Sequence, residues 1–366
     1  MSIPFSSIVR SLPDTIPFIG PETLERKYRK PFRARIGANE SAFGISPYAR
    51  EAIQQAAGSS DCSWYADPEN HDLRTLLCAK HNVSMENLCV DAGIDSLLGL
   101  TVRMFIEPGI SMVTSKGAYP TVNYHANGYG ASIRSVPYKD HSEDPVALID
   151  AAHTHHARLI YLANPDNPMG TCLSPDIIHT MLKELPADCL LMLDEAYVEF
   201  MDDMPVLPID IDDPRLIRFR TFSKAYGMAG MRIGYVIAHA DIIAGFNRIR
   251  NHFGVNRLAQ IAAAASLQDS AFIPDVVNLV RQGRQRIYDL AESLSLDYLP
   301  SSTNFVAVDL GKQETANAII AALADRGVFM RKPMVTPQDR FIRIGVGTNE
   351  EHQHLENMLI PLIRAR

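Results

Sequence analysis

Between residues 87 and 238 the chain repeats one pattern, a short, mostly apolar run followed by a longer stretch with helical spacing. The runs are "NLCVDAG" (87–93), "ISMVTS" (110–115), "RLIYLANP" (158–165), "CLLMLDEAY" (189–197), "LIRFRTFS" (216–223) and "IGYVIA" (233–238). A strand that is apolar at every position has no side left for water, so both faces of its sheet must be covered. Helices between the strands do the covering, which predicts an α/β unit with a mainly parallel sheet. Helices are expected over 95–106, 120–127 and 174–185. The last opens on Ser174-Pro175, a capping residue followed by a first-turn proline.

After about residue 257 the pattern changes. "LAQIAAAASLQD" and 272–296 read as helices, followed by "NFVAVDL" (304–310), a helix over 313–325, "GVFMR" (327–331) and "FIRIGV" (341–346). That order suggests a smaller α+β domain. The N-terminal stretch carries Pro4, Pro13 and Pro17 and no core of its own, so it is expected as an irregular arm that docks elsewhere. The expected division is an arm over 1–44 joining the small domain, a large domain over 45–256 and the small domain over 257–366.

Composition excludes several classes. A net charge of −7, from 35 basic and 42 acidic residues, argues against a nucleic-acid surface. No run of 18 apolar residues offers a membrane span, and the N-terminus lacks the apolar core of a signal peptide. Five scattered cysteines without a C-x-x-C pair suggest neither a disulfide framework nor a zinc knuckle, and point to half-buried thiols in a cytoplasmic protein. "HTHH" (His153, His155, His156) reads as a solvated helix end rather than a metal site, and "DIDD" (210–213) as a loop. The nucleotide, zinc-protease and serine-hydrolase fingerprints are absent.

Ligands of open α/β sheets bind beyond the carboxyl ends of the strands. Here those ends carry Gly93-Ile94-Asp95, then Asn167 between prolines, then Asp194 and Tyr197, then Ser223-Lys224. A glycine turn before a helix, a rigid proline turn and a capping aspartate are each ordinary structural features. Their convergence on one edge is what suggests chemistry. A lysine, a carboxylate, a phenol, an amide and a phosphate cradle together suit pyridoxal 5'-phosphate.

At these residues the chain resembles the fold-type I pyridoxal-phosphate-dependent aminotransferases. "SKAYGMAGMRIG" resembles their lysine motif, "NPDNPMG" their asparagine loop and "LDEAYVEF" their aspartate–tyrosine strand. Within them it is most similar to histidinol-phosphate aminotransferases, on "ANE" (38–40), "WYADP" (64–68), "MRK" (330–332) and "FIRIGVGT". The resemblance spans essentially the whole chain and implies a large domain with a seven-stranded sheet. It implies Lys224 as the residue that bonds the cofactor aldehyde and moves the substrate proton, with Asp194 on the ring nitrogen and Tyr197 and Asn167 on the ring hydroxyl. It further implies Tyr119 stacked on the ring. Ser223, Arg232 and the Gly93, Ile94, Asp95 turn would bind the phosphate, with Tyr65 arriving from the second subunit of a homodimer. Substrate contacts are implied for Arg343, Arg331, Asn304 and Asn39, and no metal.

Three departures bear on the substrate. Phe18 stands where the family usually has a tyrosine, "ANES" replaces the commoner "NENP", and Met169 replaces a threonine. The implied reaction is transamination between an amino donor, histidinol phosphate first, and 2-oxoglutarate. The alternatives are an aromatic amino-acid aminotransferase, a phospho-amino-acid decarboxylase, and a pyridoxal-binding module without turnover.

Overall fold

Strands that are apolar on both sides sort their residues by parity, and here each parity meets its own helices. The computed structural model describes residues 3–14, 19–202 and 204–365. Its strands are β1 (Ala34–Arg35), β2 (Leu88–Asp91), β3 (Ser111–Ser115), β4 (Ser132–Val136), β5 (Leu159–Ala163), β6 (Leu190–Asp194), β7 (Leu216–Thr221), β8 (Gly234–Ala238), β9 (Phe305–Asp309), β10 (Val328–Phe329) and β11 (Phe341–Gly345). Seven of them form one sheet in the order β2-β8-β7-β6-β5-β3-β4. All of its pairings are parallel except those of β8, which runs against both β2 and β7.

Along β5, Leu159 and Tyr161 face the core made with helices Ile94–Phe105, Thr121–Gly128 and Ala240–Ile249. Ile160 and Leu162 face the opposite core, with helices Pro145–Thr154 and Pro175–Glu184. Each large apolar side chain buried this way contributes roughly 1.5–3 kcal/mol relative to exposure. The doubly covered sheet expected from the sequence is therefore the one found. The six apolar runs became strands, whereas β4 was not anticipated. Its sequence, Ser-Ile-Arg-Ser-Val, is half exposed at the sheet edge and carries no apolar run.

Beyond the large sheet, β9 pairs antiparallel with β11 under helices Phe272–Ser293, Gln313–Asp325 and Asn349–Arg364. The strand expected over 327–331 shrinks to β10, which pairs in parallel with β1, close to the N-terminus. The N-terminal stretch is less irregular than expected. It contains helix Ser7–Ser11, capped by the Ser6 hydroxyl, and helix Pro21–Tyr28, which begins on its proline. All five cysteines are free, with Cys89 and Cys189 buried but Cys62 exposed. Among the described residues no helix is long and apolar enough to cross a membrane, and no cluster of ligating side chains could hold a metal ion.

Candidate active site

The antiparallel direction of β8 builds the site. Because β7 and β8 run oppositely, the whole connection 222–233 lies at the carboxyl edge of the parallel strands. Ser223, Lys224 and Arg232 thus share that edge with the residues after β2, β3, β5 and β6. The connection turns sharply at Gly227, whose φ of 71° is left-handed. A Cβ there would overlap the Gly44 carbonyl, so a side chain has no room.

Asp194 ends β6 with its carboxylate buried on the same face as Tyr161. Its two hydrogen-bond donors among the described residues are the Tyr161 hydroxyl, 2.7 Å from Oδ2, and the Ala196 N–H, 3.0 Å from Oδ1. Burial pushes this carboxyl up to about 6, against the pull of those two bonds. A buried acid in that state is a receptor for a cation. Glu195, on the opposite side, is held between Arg218 and Arg220 at 2.6 and 2.9 Å, and their charges keep it below the usual range although burial opposes them. This buried triad anchors the β6–β7 edge from beneath.

Lys224 Nζ donates to the backbone carbonyl of Asn39 at 3.1 Å and stands 5.4 Å from the Tyr197 ring centre. The Tyr197 hydroxyl accepts from the Asn39 amide at 2.9 Å and faces the Asn167 amide at 3.5 Å. Arg343, on β11, donates to Asn167 Oδ1 and lies over the Phe305 ring. Its neighbour across an isolated bridge is Arg331, whose guanidinium donates to the Ile19 carbonyl at 2.6 Å. Burial and the charge of Arg343 bring Arg331 down to about 10, and burial likewise lowers Arg343. Asn304 donates to the Asn39 carbonyl at 3.2 Å. Among the described residues three buried polar atoms here lack partners: Asn39 Oδ1, Asn304 Oδ1 and Arg343 Nε. Orphans of this kind are what a polar small molecule satisfies.

The anion cradle sits beside this group. Gly93, at φ 85°, precedes helix Ile94–Phe105, whose first turn has no side-chain cap. Arg232, itself left-handed at φ 56°, points Nη2 at Asp95, 3.4 Å away, and Tyr119 donates to the same carboxylate at 3.1 Å. Burial and that carboxylate push the Tyr119 phenol up. Ser223 is buried at the start of the connection, its N–H bonded to Thr221 Oγ1 at 3.0 Å. Free first-turn N–H groups beside an arginine and a serine suit a phosphate. The buried acid, the lysine, the paired phenol and amides, and this cradle together fit pyridoxal phosphate. A Cβ at position 93 would come within 2.7 Å of Arg232 Nη2. Gly93→Ala is therefore expected to weaken cofactor binding roughly tenfold to a hundredfold, through backbone strain and a displaced arginine. Titration of the apo-protein followed by absorbance checks this; an unchanged midpoint would remove the turn from the phosphate site.

Tyr65 is 77% exposed and stacks on Phe253 with ring centres 4.5 Å apart, while Arg257 donates to its carbonyl at 3.0 Å. Phe18 lies outside the described residues. Two participants escaped the sequence reading. Tyr161 was counted as part of an apolar run, although a buried tyrosine needs a partner for its hydroxyl, and parity puts it on the face of Asp194. Asn39 was expected only at the substrate, yet it touches both Lys224 and Tyr197.

Comparison with known proteins agrees with this fold. Residues 35–359 match the family described as aminotransferase class I and II. A histidinol-phosphate aminotransferase of Moorella thermoacetica is 33% identical over 87% of this chain and 82% of its own length. Histidinol-phosphate aminotransferase 2 of Hydrogenovibrio crunogenus is 35% identical over 88% and 86%. Among solved structures, the histidinol-phosphate aminotransferase of Sinorhizobium meliloti in complex with pyridoxal-5'-phosphate superposes with a TM-score of 0.96 at 45% identity, covering 100% of this chain and 99% of that one. An aspartate aminotransferase of Thermus thermophilus, 19% identical with a TM-score of 0.82 over 100% of both chains, shares the fold. The chain belongs to the class I and II aminotransferases.

Proposed function

We propose that this enzyme is a pyridoxal-phosphate-dependent aminotransferase that takes the amino group from histidinol phosphate and gives it to 2-oxoglutarate. When bound, the cofactor supplies a ring that accepts the electrons of the breaking Cα–H bond. Lys224 would hold the cofactor through its aldehyde carbon and would carry the proton taken from the donor's Cα. Its Nζ lies between the Asn39 carbonyl and the Tyr197 ring, beside the atoms it would serve. Asp194 would hold the proton on the ring nitrogen, while Tyr197 and Asn167 would orient the ring oxygen. Tyr119 would cover the ring; Ser223, Arg232 and the turn 93–95 would bind the phosphate.

The observation that carries the substrate is the arginine pair. Arg331 and Arg343 are paired across an isolated bridge, and the charge of Arg343 disfavours that of Arg331. A phosphate dianion relieves that repulsion better than one carboxylate does. Asn304 and Asn39 would complete the pocket. The exposed Trp64-Tyr65 strip, with Phe253 and Arg257 beside it, supports a homodimer in which Tyr65 reaches the second copy's phosphate. Free thiols are consistent with a cytoplasmic location.

The test is a single turnover. Holoenzyme mixed with histidinol phosphate should lose its visible cofactor absorbance rapidly, and 2-oxoglutarate should restore it. Rapid loss with phenylalanine alone would assign the arginines to a carboxylate and make the enzyme an aromatic aminotransferase. Carbon dioxide release without need of an oxo acid would make it a decarboxylase.

A further inference from the structure

Asn39 occupies a position that substrate contact alone does not explain. It is buried and holds a left-handed backbone, φ 55°, which few residues other than glycine and asparagine adopt readily. Its carbonyl accepts from Lys224 and from Asn304, and its side-chain amide donates to the Tyr197 hydroxyl at 2.9 Å. The segment is pinned from the other side as well, by the Gly345 N–H bonded to the Ile36 carbonyl at 2.9 Å.

The orientation of the second amide on this phenol is set independently. Arg343 donates to Asn167 Oδ1, so Asn167 turns its Nδ2 toward Tyr197. Two N–H groups then converge on one phenol oxygen. A hydroxyl has two lone pairs and one hydrogen. With both lone pairs directed at amides, its hydrogen has one direction left.

We propose that Asn39 is a positioning residue for Tyr197, occupying one lone pair of the phenol so that its hydrogen is presented to the cofactor's ring oxygen. This rests on the cofactor reading above. The titratable groups facing the phenol are Lys224 over the ring, Arg343 and Tyr119, and Phe305 closes its edge. Donation from Tyr197 stabilises negative charge on the ring oxygen, which makes the loaded cofactor give up its proton at lower pH. Loss of the donation raises that midpoint.

The experiment is a pH titration of the visible absorbance of the holoenzyme, with kcat and KM measured alongside. Asn39→Gly keeps the left-handed backbone and the carbonyl under Lys224 but removes the amide. Asn39→Asp keeps the shape and replaces a donor with an acceptor, which draws the phenol hydrogen to itself. The midpoint should rise roughly half a unit to one unit in Asn39→Gly and further in Asn39→Asp. In both variants kcat should fall about tenfold or more at nearly constant KM. In a Tyr197→Phe background neither substitution should move the midpoint further.

A higher KM with an unchanged midpoint would return Asn39 to a substrate contact and overturn the proposal. So would a shift in Asn39→Gly that is absent in Asn39→Asp, since the side chain would then be accepting from the phenol. A shift that persists in the Tyr197→Phe background would likewise exclude action through Tyr197. If the unaltered protein takes up no pyridoxal phosphate and shows no titrating band, the cofactor reading itself fails, and that result is distinct from the other three.

Discussion

Lys224→Ala is expected to lower turnover on the order of 10⁶-fold, the scale on which removing a covalent nucleophile acts. The side chain serves in three ways that no neighbour can take over. In the proposed mechanism it binds the cofactor covalently and moves the substrate proton, and its charge bears on the buried Asp194 carboxyl. The fold should survive, because Lys224 is partly exposed and gives up one hydrogen bond, to the Asn39 carbonyl. Lys224→Arg should be nearly as inactive, since a guanidinium stays charged and is a poor nucleophile. Steady-state rates beside a thermal melt make the check. Activity within tenfold of the unaltered enzyme, with folding intact, would remove Lys224 from the chemistry.

The second large effect is at Asp194. Replacing it with asparagine keeps the shape and the bond from Tyr161 but removes the charge proposed to hold a proton on the ring nitrogen. Turnover should fall on the order of 10²–10³-fold, as when a preorganised electrostatic partner is lost. The same carboxyl links stability to pH. Burial raises it from 3.8 to about 6, so the folded apo-protein binds this proton more tightly than the unfolded chain. The stability from that difference is fully present below pH 4 and is lost as pH rises through 6, a cost of roughly 3 kcal/mol above it.

A cofactor whose ring nitrogen carries a proton supplies the missing cation and removes the cost. Part of that cost is already present at pH 5, so the gain in melting temperature on cofactor binding should widen by about 2 °C between pH 5 and pH 8. In Asp194→Asn that widening should vanish. His81 and His352, held down to about 3 and about 4 chiefly by burial, act in the opposite sense and destabilise the fold as pH falls through 6.5. Their contribution is common to both forms and cancels in the difference. A gain that stays flat across the range in the unaltered protein would mean that Asp194 meets no cation.

How much of this could be read without coordinates follows burial. The strands β2, β3, β5, β6, β7 and β8 are buried on both faces and stood out as runs, while β4 at the edge, with Arg134 and two serines, did not. The helix expected over 272–296 ends at Ser293, within the ordinary fraying of a terminus. β1 and β10 are two residues each, too short to carry a period, and exist because they pair with one another. At the site, Asp194, Tyr197, Ser223 and Lys224 could be listed because each follows a strand whose end was legible.

What the amino-acid order determined by itself was local. Apolar runs must be covered, prolines and capping residues start helices, and polar residues that follow buried strands gather on the carboxyl edge of the sheet. The tertiary structure decided whatever depends on two distant segments meeting. It reversed β8 so that Lys224 and Arg232 lie on one edge, set Tyr161 under Asp194, and brought Asn39 across the chain to hold Tyr197 and Lys224. A hydrogen bond requires atoms within about 3 Å, and residues separated by 158 and 185 positions reach that distance only once the chain has closed on its cores.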